Sequence, residues 1–372
     1  MNRTIARLIF LCLALLLSPA RAATPGLPVT NTLSSGAKVM FCVPTRGWNG
    51  KLVVWAHGYT SPFDPLDFQD LQFGDIYLPD FVQRLGFAFA TTSYRTTGLA
   101  VVPGVEDVRD TALAFAQFTK RTPLRTLLVG ASEGGLVTTL AIERYPDIFS
   151  GGLAMCGPIG DFPAQTDYFA TFRLLFDYYY PGLLPGNATN IPPQLIQHWD
   201  DQYEPLAMAA INADPRRAMQ LLGVAQASFI PFDMDTVRTT VDDLLWYHTF
   251  ASNDAETKLG GNPFGNLGVQ YTGSSNDTAL NATILRIAAS PQAINAEQAY
   301  QTSGRLTRPL VTMHTIGDDV VPFWHENLYW QKVRAAGTAR YVRMLPVARY
   351  GHCNFGITDL LLAISLLVNE TN

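Results

Sequence analysis

Residues 126–144 read Thr-Leu-Leu-Val-Gly-Ala-Ser-Glu-Gly-Gly-Leu-Val-Thr-Thr-Leu-Ala-Ile-Glu-Arg, and the fold turns on them. Thr126–Val129 is a short apolar run that reads as a buried strand. Leu136–Arg144 carries the spacing of a helix packed on one side. Between them stands Gly130-Ala131-Ser132-Glu133-Gly134, a G-x-S-x-G. A strand that becomes a helix within so few residues must turn sharply, and the turn pushes the Ser132 hydroxyl into the open. Glycines on either side let neighbouring backbone pass close by. The helix begins at the serine, so its first N–H groups point towards any negative charge that develops there.

Working outward, the same alternation of strand and helix covers both ends of the chain. Lys51–Ala56, Phe87–Thr92, Thr126–Gly130 and Gly151–Cys156 are apolar runs of strand length. Val105–Lys120 places Val108, Leu113, Phe115 and Phe118 at helical spacing. Pro309–His314 and Arg340–Leu345 resume the strand pattern, and Thr358–Val368 reads as a closing helix. Short apolar runs separated by helices predict a parallel sheet covered on both faces. From about 157 to 305 the character changes. Aromatic residues crowd the segment, helical spacing dominates, and no parallel-strand run stands out. This predicts a mainly helical cap inserted between two late strands, dividing the strand-and-helix core into 23–156 and 306–372.

A serine hydroxyl is a weak nucleophile near neutral pH and needs a base within reach. In a sheet of this kind the acid and then the base follow the serine in sequence. His352 lies in Arg349-Tyr350-Gly351-His352-Cys353, just past the last expected strand, and is the candidate base. His314 and His325 lie too near the acid's own loop. His198 and His248 fall in the cap, and His57 reads as a structural residue holding its loop. The acid is sought after the preceding strand, in Gly317-Asp318-Asp319-Val320-Val321-Pro322. Asp318 is chosen on the pattern D-x-x-V-P, with Asp319 and the more distant Asp161 as alternatives. A buried carboxylate there fixes the imidazole tautomer and stabilises the imidazolium. Two N–H donors for an oxyanion are expected from Glu133 and from Tyr59 in His57-Gly58-Tyr59.

The motifs HGY (57–59), GASEGG (130–135), GDDVVP (317–322) and GHC (351–353), in that order, resemble the α/β-hydrolase superfamily. They are most similar to its secreted esterase and lipase-like members with a large helical cap. The resemblance implies an eight-stranded, mostly parallel sheet and a serine triad that works without a cofactor, carried here onto Ser132, Asp318 and His352. It implies hydrolysis of a carboxylic ester, small or polymeric. Ser132 and Asp318 are 186 residues apart, and the excess over a minimal core is the cap. Ser93-Tyr94-Arg95-Thr96-Thr97-Gly98 also resembles a stretch of prolyl-oligopeptidase-type peptidases, which keeps a serine peptidase open. A catalytically silent binding protein of the same fold is the third reading. Within the cap and beside the acid loop, Phe172, Phe176, Trp246, Phe323 and Trp324 are the candidate pocket residues.

Composition narrows the partners. Arg3, Arg7, the ten-residue run Leu8–Leu17 and Ala20-Arg21-Ala22 read as a signal peptide over 1–22, cleaved after Ala22. Ten apolar residues are about half of what a bilayer span needs, so no membrane-spanning segment is expected after cleavage. The product would be secreted or periplasmic. Three arginines fall in that leader, so the net charge of −5 becomes −8 without them. With no Lys/Arg block, nucleic acid is set aside as a partner. Cys42, Cys156 and Cys353 remain, enough for one disulfide and a free thiol in an oxidising compartment. Cys156 ends a strand and Cys353 adjoins His352, so these two are placed to meet. No C-x-x-C pair or His-rich tract points to a metal.

Overall fold

The protein is described from a computed structural model covering residues 23–372; the leader expected over 1–22 lies outside the described residues. The strands are β1 (Pro28–Thr32), β2 (Lys38–Cys42), β3 (Lys51–Ala56), the small hairpin β4 (Gln72–Phe73) and β5 (Ile76–Tyr77), β6 (Ala88–Thr92), β7 (Arg125–Ala131), β8 (Gly151–Met155), β9 (Leu310–Gly317) and β10 (Val342–Tyr350). Eight of them form one sheet in the order β1-β2-β6-β3-β7-β8-β9-β10. β1 and β2 run antiparallel to their neighbours and the rest are parallel. The sheet is the mostly parallel, eight-stranded one expected. β1 escaped the sequence reading because all five of its residues are exposed, so it carries no apolar run.

Alternate residues of each strand serve opposite faces. Leu52, Val54, Ala56 and Leu128 face one way. Helices α2 (Val101–Thr119) and α3 (Glu133–Arg144) cover them with Val105, Val108, Phe115, Val137 and Leu140. Val53, Trp55, Leu127, Val129 and Leu153 face the other way, towards α1 (Leu78–Arg84) and α12 (Ile357–Glu370). Helix α2 starts four residues before the apolar spacing predicts, because Pro103 sits inside its first turn, where a missing N–H costs nothing.

Between β8 and β9 the chain forms helices α4 (Phe162–Tyr179), α5 (Pro193–Gln197), α6 (Glu204–Ala213), α7 (Pro215–Ala225), α8 (Met234–Leu259), α9 (Asp277–Thr283) and α10 (Pro291–Glu297). Most of their apolar side chains form a cluster of their own, with Phe172, Leu221, Val241 and Leu245 fully buried. Phe162 and Tyr300, near the ends of the segment, and Leu259, at the end of α8, belong instead to the sheet's cluster. Helix α8 is capped by the Asp233 carboxylate, which accepts from the Asp235 and Thr236 N–H groups, and is stopped by Gly260 in the left-handed region. Helix α11 (Trp324–Ala335) joins β9 to β10. Among the described residues no helix is long and apolar enough to cross a membrane.

Candidate active site

Ser132 stands between the end of β7 and the start of α3 with φ 56° and ψ −124°, a sparsely populated conformation for a residue with a side chain. Two glycines make the turn possible. A Cβ on Gly130 would stand 2.2 Å from the Gly134 carbonyl oxygen, and one on Gly134 would stand 2.1 Å from the Ala56 carbonyl oxygen. The Ser132 N–H donates to the Met155 carbonyl at 2.9 Å, tying the turn to β8.

Three side chains from loops far apart in sequence meet there. Ser132 Oγ lies 2.9 Å from His352 Nε2, and His352 Nδ1 lies 2.9 Å from both carboxylate oxygens of Asp318. Asp318 Oδ1 also accepts the backbone N–H groups of Val320 and Val321, at 3.1 and 2.8 Å. This is what the D-x-x-V-P spacing does physically: the loop folds back so that its own amides hold the carboxylate. Burial of Asp318 opposes its ionisation, but His352 and His314 outweigh it and hold the carboxyl well below its usual range. Asp319 points elsewhere, towards the Tyr350 hydroxyl at 3.3 Å. Asp161 caps α4 and accepts from Gln301.

Sequence reasoning set His314 aside, and the structure shows what it does. It is fully buried behind Asp318, with Nε2 3.3 Å from Oδ2 and 2.8 Å from the Val321 carbonyl. Burial disfavours its charge, yet Asp318 and Glu326 more than compensate and raise its pKa to about 10. The signal was present in the sequence: His314, within β9, lies four residues before Asp318, which follows the strand's last residue. The other histidines are engaged away from Ser132. His325 pairs with Gln165, His248 with the Ala188 carbonyl and His198 with Asp201. His57 stacks on Tyr94, 4.0 Å between ring centroids, and its Nδ1 lies 2.7 Å from the Gly58 oxygen.

Gly58 brings the β3 loop against Ser132, since a Cβ there would stand 3.3 Å from Ser132 Cβ. Its N–H donates to Asp70 at 2.8 Å. The next N–H, that of Tyr59, and the N–H of Glu133 find no acceptor among the described residues. Both belong to residues that border the same cavity as Ser132. The Glu133 side chain is buried and accepts the Ala100 N–H at 2.8 Å. Burial raises its pKa to about 8, against that hydrogen bond and the charge of Lys258.

Cys156 and Cys353 form a disulfide with Cα atoms 5.4 Å apart, fastening the His352 loop to the end of β8. Cys42 is free and buried, its thiol pushed up to about 12 chiefly by burial. The stretch Ser93–Gly98 is also structural. Arg95 forms a two-pronged ion pair with buried Asp107, and the Tyr94 hydroxyl donates to the His57 carbonyl.

Two cavities meet at Ser132. One, of about 110 Å³, lies on the side of the helical segment and is bordered by Phe162, Phe169, Tyr247 and Phe264. The other, of about 330 Å³, runs beneath the sheet. None of the five expected pocket residues borders either one. Phe172 and Phe176 are fully buried in the helical segment's own cluster. They share a helix with Phe169, but Phe176 lies about 10 Å further along it, past the opening. Trp246 packs on Tyr59 and Phe250, leaving the cavity wall to its neighbour Tyr247. Phe323 sits edge-on to His314, and Trp324 stacks on His325.

The sequence matches no family model and no curated protein. Similar solved structures include feruloyl esterase B from Aspergillus oryzae, 15% identical over 88% of this chain and 73% of that one, TM-score 0.49. An esterase from Pyrococcus furiosus is 11% identical over 92% of this chain and 90% of that one, TM-score 0.46. The acylaminoacyl peptidase of Pyrococcus horikoshii is 12% identical over 95% of this chain, which spans only 41% of the peptidase, TM-score 0.47. The assignment of architecture rests on the molecule itself. Its strand order, its strand directions and the strand–Ser132–helix turn make this the α/β-hydrolase fold.

Proposed function

We propose that the chain is a serine hydrolase that cleaves carboxylic esters through an acyl-enzyme on Ser132, with His352 as general base and Asp318 as its orienting acid. The observation that carries the reading is the continuous Ser132–His352–Asp318 contact, with each link at 2.9 Å. His352 Nε2 takes the Ser132 proton as Oγ attacks the ester carbonyl carbon. The resulting oxyanion accepts from the Tyr59 and Glu133 N–H groups, which are otherwise unclaimed. Asp318 stabilises the imidazolium, which then passes its proton to the departing alkoxide. Water repeats the sequence in the second half and releases the acid. The helical segment 157–305 acts as a cap over the serine. The disulfide beside His352 supports a secreted or periplasmic site of action, where thiols are oxidised.

Burial raises the Glu133 carboxyl beside Ser132 to about 8, so it offers a free amino group little charge. A peptide held by its amino group would depend on Glu256, the other carboxyl on the border of the cap-side cavity. The test is a parallel assay of p-nitrophenyl acetate, a longer acyl ester and an aminoacyl amide, on wild type and Ser132→Ala. Ester turnover is expected to fall by on the order of 10⁴-fold or more in the variant. Amide turnover far above ester turnover would establish the peptidase instead. Failure of a fluorophosphonate to label Ser132 would leave a silent binding protein.

A further inference from the structure

We propose that the cavity beneath the sheet takes a linear alkyl chain of the substrate, an inference that rests on the ester-hydrolase reading above. Ser132, His352 and Gly58 stand at one end of this cavity. Val53, Leu127 and Val129 form its sheet wall, and Val82, Ile364 and Leu367, from α1 and α12, form the opposite one. At about 330 Å³ it has room for more than one small ring, since roughly 150 Å³ suffices for a benzene. Along β7, Leu127 lies five residues before Ser132, so the wall extends about 16 Å from the hydroxyl.

The cavity is distinct from an ordinary packing gap in where it sits and what it exposes. Leu52, Val54 and Leu128, on the opposite face of the same strands, have no exposed surface. Val53, Val129 and Trp55 keep 8%, 8% and 7% of theirs. On these strands the residual surface lies at Val53, Trp55 and Val129, on the face that communicates with the serine, while Leu127 and Leu153 of the same face keep 1% and none. Its walls are mostly aliphatic and aromatic. Beside the Tyr59 and Tyr247 rings and the triad's own His352, the polar groups on its border are Asp70, at the mouth with its carboxylate accepting the Gly58 N–H, the Gln72 amide, and the buried Trp55 Nε1–H, which has no partner. A sugar or a peptide would bring many more polar groups into this space than these few could pair, at a heavy cost. An unbranched alkyl chain brings none. Each methylene that leaves water for such a wall is worth a factor of up to about four in binding.

Two substrate series locate the chain on the ester. p-Nitrophenyl acetate, hexanoate and decanoate lengthen the acyl side; methyl, hexyl and decyl acetate lengthen the alcohol side. In one series kcat/KM is expected to climb at least tenfold from the shortest member to the longest, and that series names the side. Ile364→Trp and Val53→Phe each place bulk in the cavity from opposite walls. Each is expected to lower the long-to-short ratio of kcat/KM at least tenfold. A flat response in both series, or a climb retained in both variants, overturns the proposal. Binding of methyl decanoate to Ser132→Ala, read as a rise in Tm that Ile364→Trp abolishes, tests the cavity without turnover. Ser132-dependent acetate hydrolysis with no chain preference and no such binding would sink the alkyl site and leave the hydrolase reading standing. Binding without any ester turnover would do the reverse.

Discussion

The two faces of the central sheet are built from alternate residues of the same strands, yet they are packed to different standards. On the α2–α3 face, contact is closed down to the backbone: Gly130 and Gly134 let α3 lie so near β3 and β7 that not one further carbon fits. On the α1–α12 face the side chains are no less apolar, but α1 is only seven residues long and a cavity remains. The difference assigns each face a task. The closed face fixes the strained turn that presents Ser132, and the open face leaves space that reaches the same hydroxyl. Backbone strain at Ser132 persists because the packing beneath it leaves no alternative.

The sharpest way to break this comparison is to add one methyl group to the closed face. Gly134→Ala would drive a Cβ to 2.1 Å from the Ala56 oxygen and 2.5 Å from the His57 oxygen, both backbone atoms that cannot swing aside. The expected cost is about 3 kcal/mol or more of stability. The Ser132 turn would be displaced and ester turnover lost with it. Urea unfolding and the p-nitrophenyl acetate assay check both. A variant with wild-type midpoint and rate would show that the face is not closed.

Neighbouring leucines of β7 give the next contrast. Leu128 points to the closed face and Leu127 to the open one, and both are almost fully buried. Leu128→Ala would create a new void and is expected to cost about 4 kcal/mol, near the top of the usual range. Leu127→Ala would enlarge a space that already exists and is expected to cost about 2 kcal/mol. Equal losses in chemical denaturation would mean that the two faces are packed alike.

How much of this was legible in the sequence depends on whether a feature is made of residues or of the space between them. The runs at Lys51–Ala56 and Gly151–Cys156 matched strands, the second ending one residue earlier at Met155, because apolar residues in short runs have few other uses. The Ser132 turn was legible because its glycines are explicit. Asp318 was separable from Asp319 because the spacing to Val321 dictates which carboxylate the loop amides reach. His314 was passed over, since proximity in sequence hid its contact with the back of Asp318. Phe172 and Phe176 were misplaced for a related reason. Helical spacing reports which side of its own helix a residue occupies, but not how far along the helix the serine lies. The cavity under the sheet left no sequence signal at all: α1 is short, and a void is not a residue pattern.

The closed face also carries a titratable group at the start of α3. Glu133, on the first turn of α3, is buried, and its pKa in the folded protein is raised to about 8 from a usual 4.5. Between these values the unfolded chain gives up the proton while the folded chain keeps it. The contribution is therefore fully present below about pH 4.5 and is lost as pH rises through about 8. The slope from this one group is at most about 1.4 kcal/mol per pH unit. Glu133→Gln keeps an acceptor for the Ala100 N–H and removes the titration. Its stability, measured against wild type from pH 5 to 8, is expected to fall less steeply. Parallel curves would place the proton elsewhere.

The smallest expected effect tests the open face most directly, because it asks whether added carbon is welcome there. Val53→Ile extends a side chain of β3 towards α1 and α12 by one methylene. In a closed interior such a change forces neighbours off their rotamers and destabilises the fold. In a space already large enough for the group, the methylene finds wall instead of a clash, and a gain of about 0.5–1 kcal/mol is expected. Val54→Ile, one residue along on the closed face, supplies the control and is expected to lose about 1 kcal/mol or more. Opposite signs at adjacent positions of one strand can arise only if the faces differ in free volume, because strand propensity and backbone environment are shared. A loss at both positions would mean that side-chain motion fills the space in solution. It would leave the alkyl chain no preformed place to go.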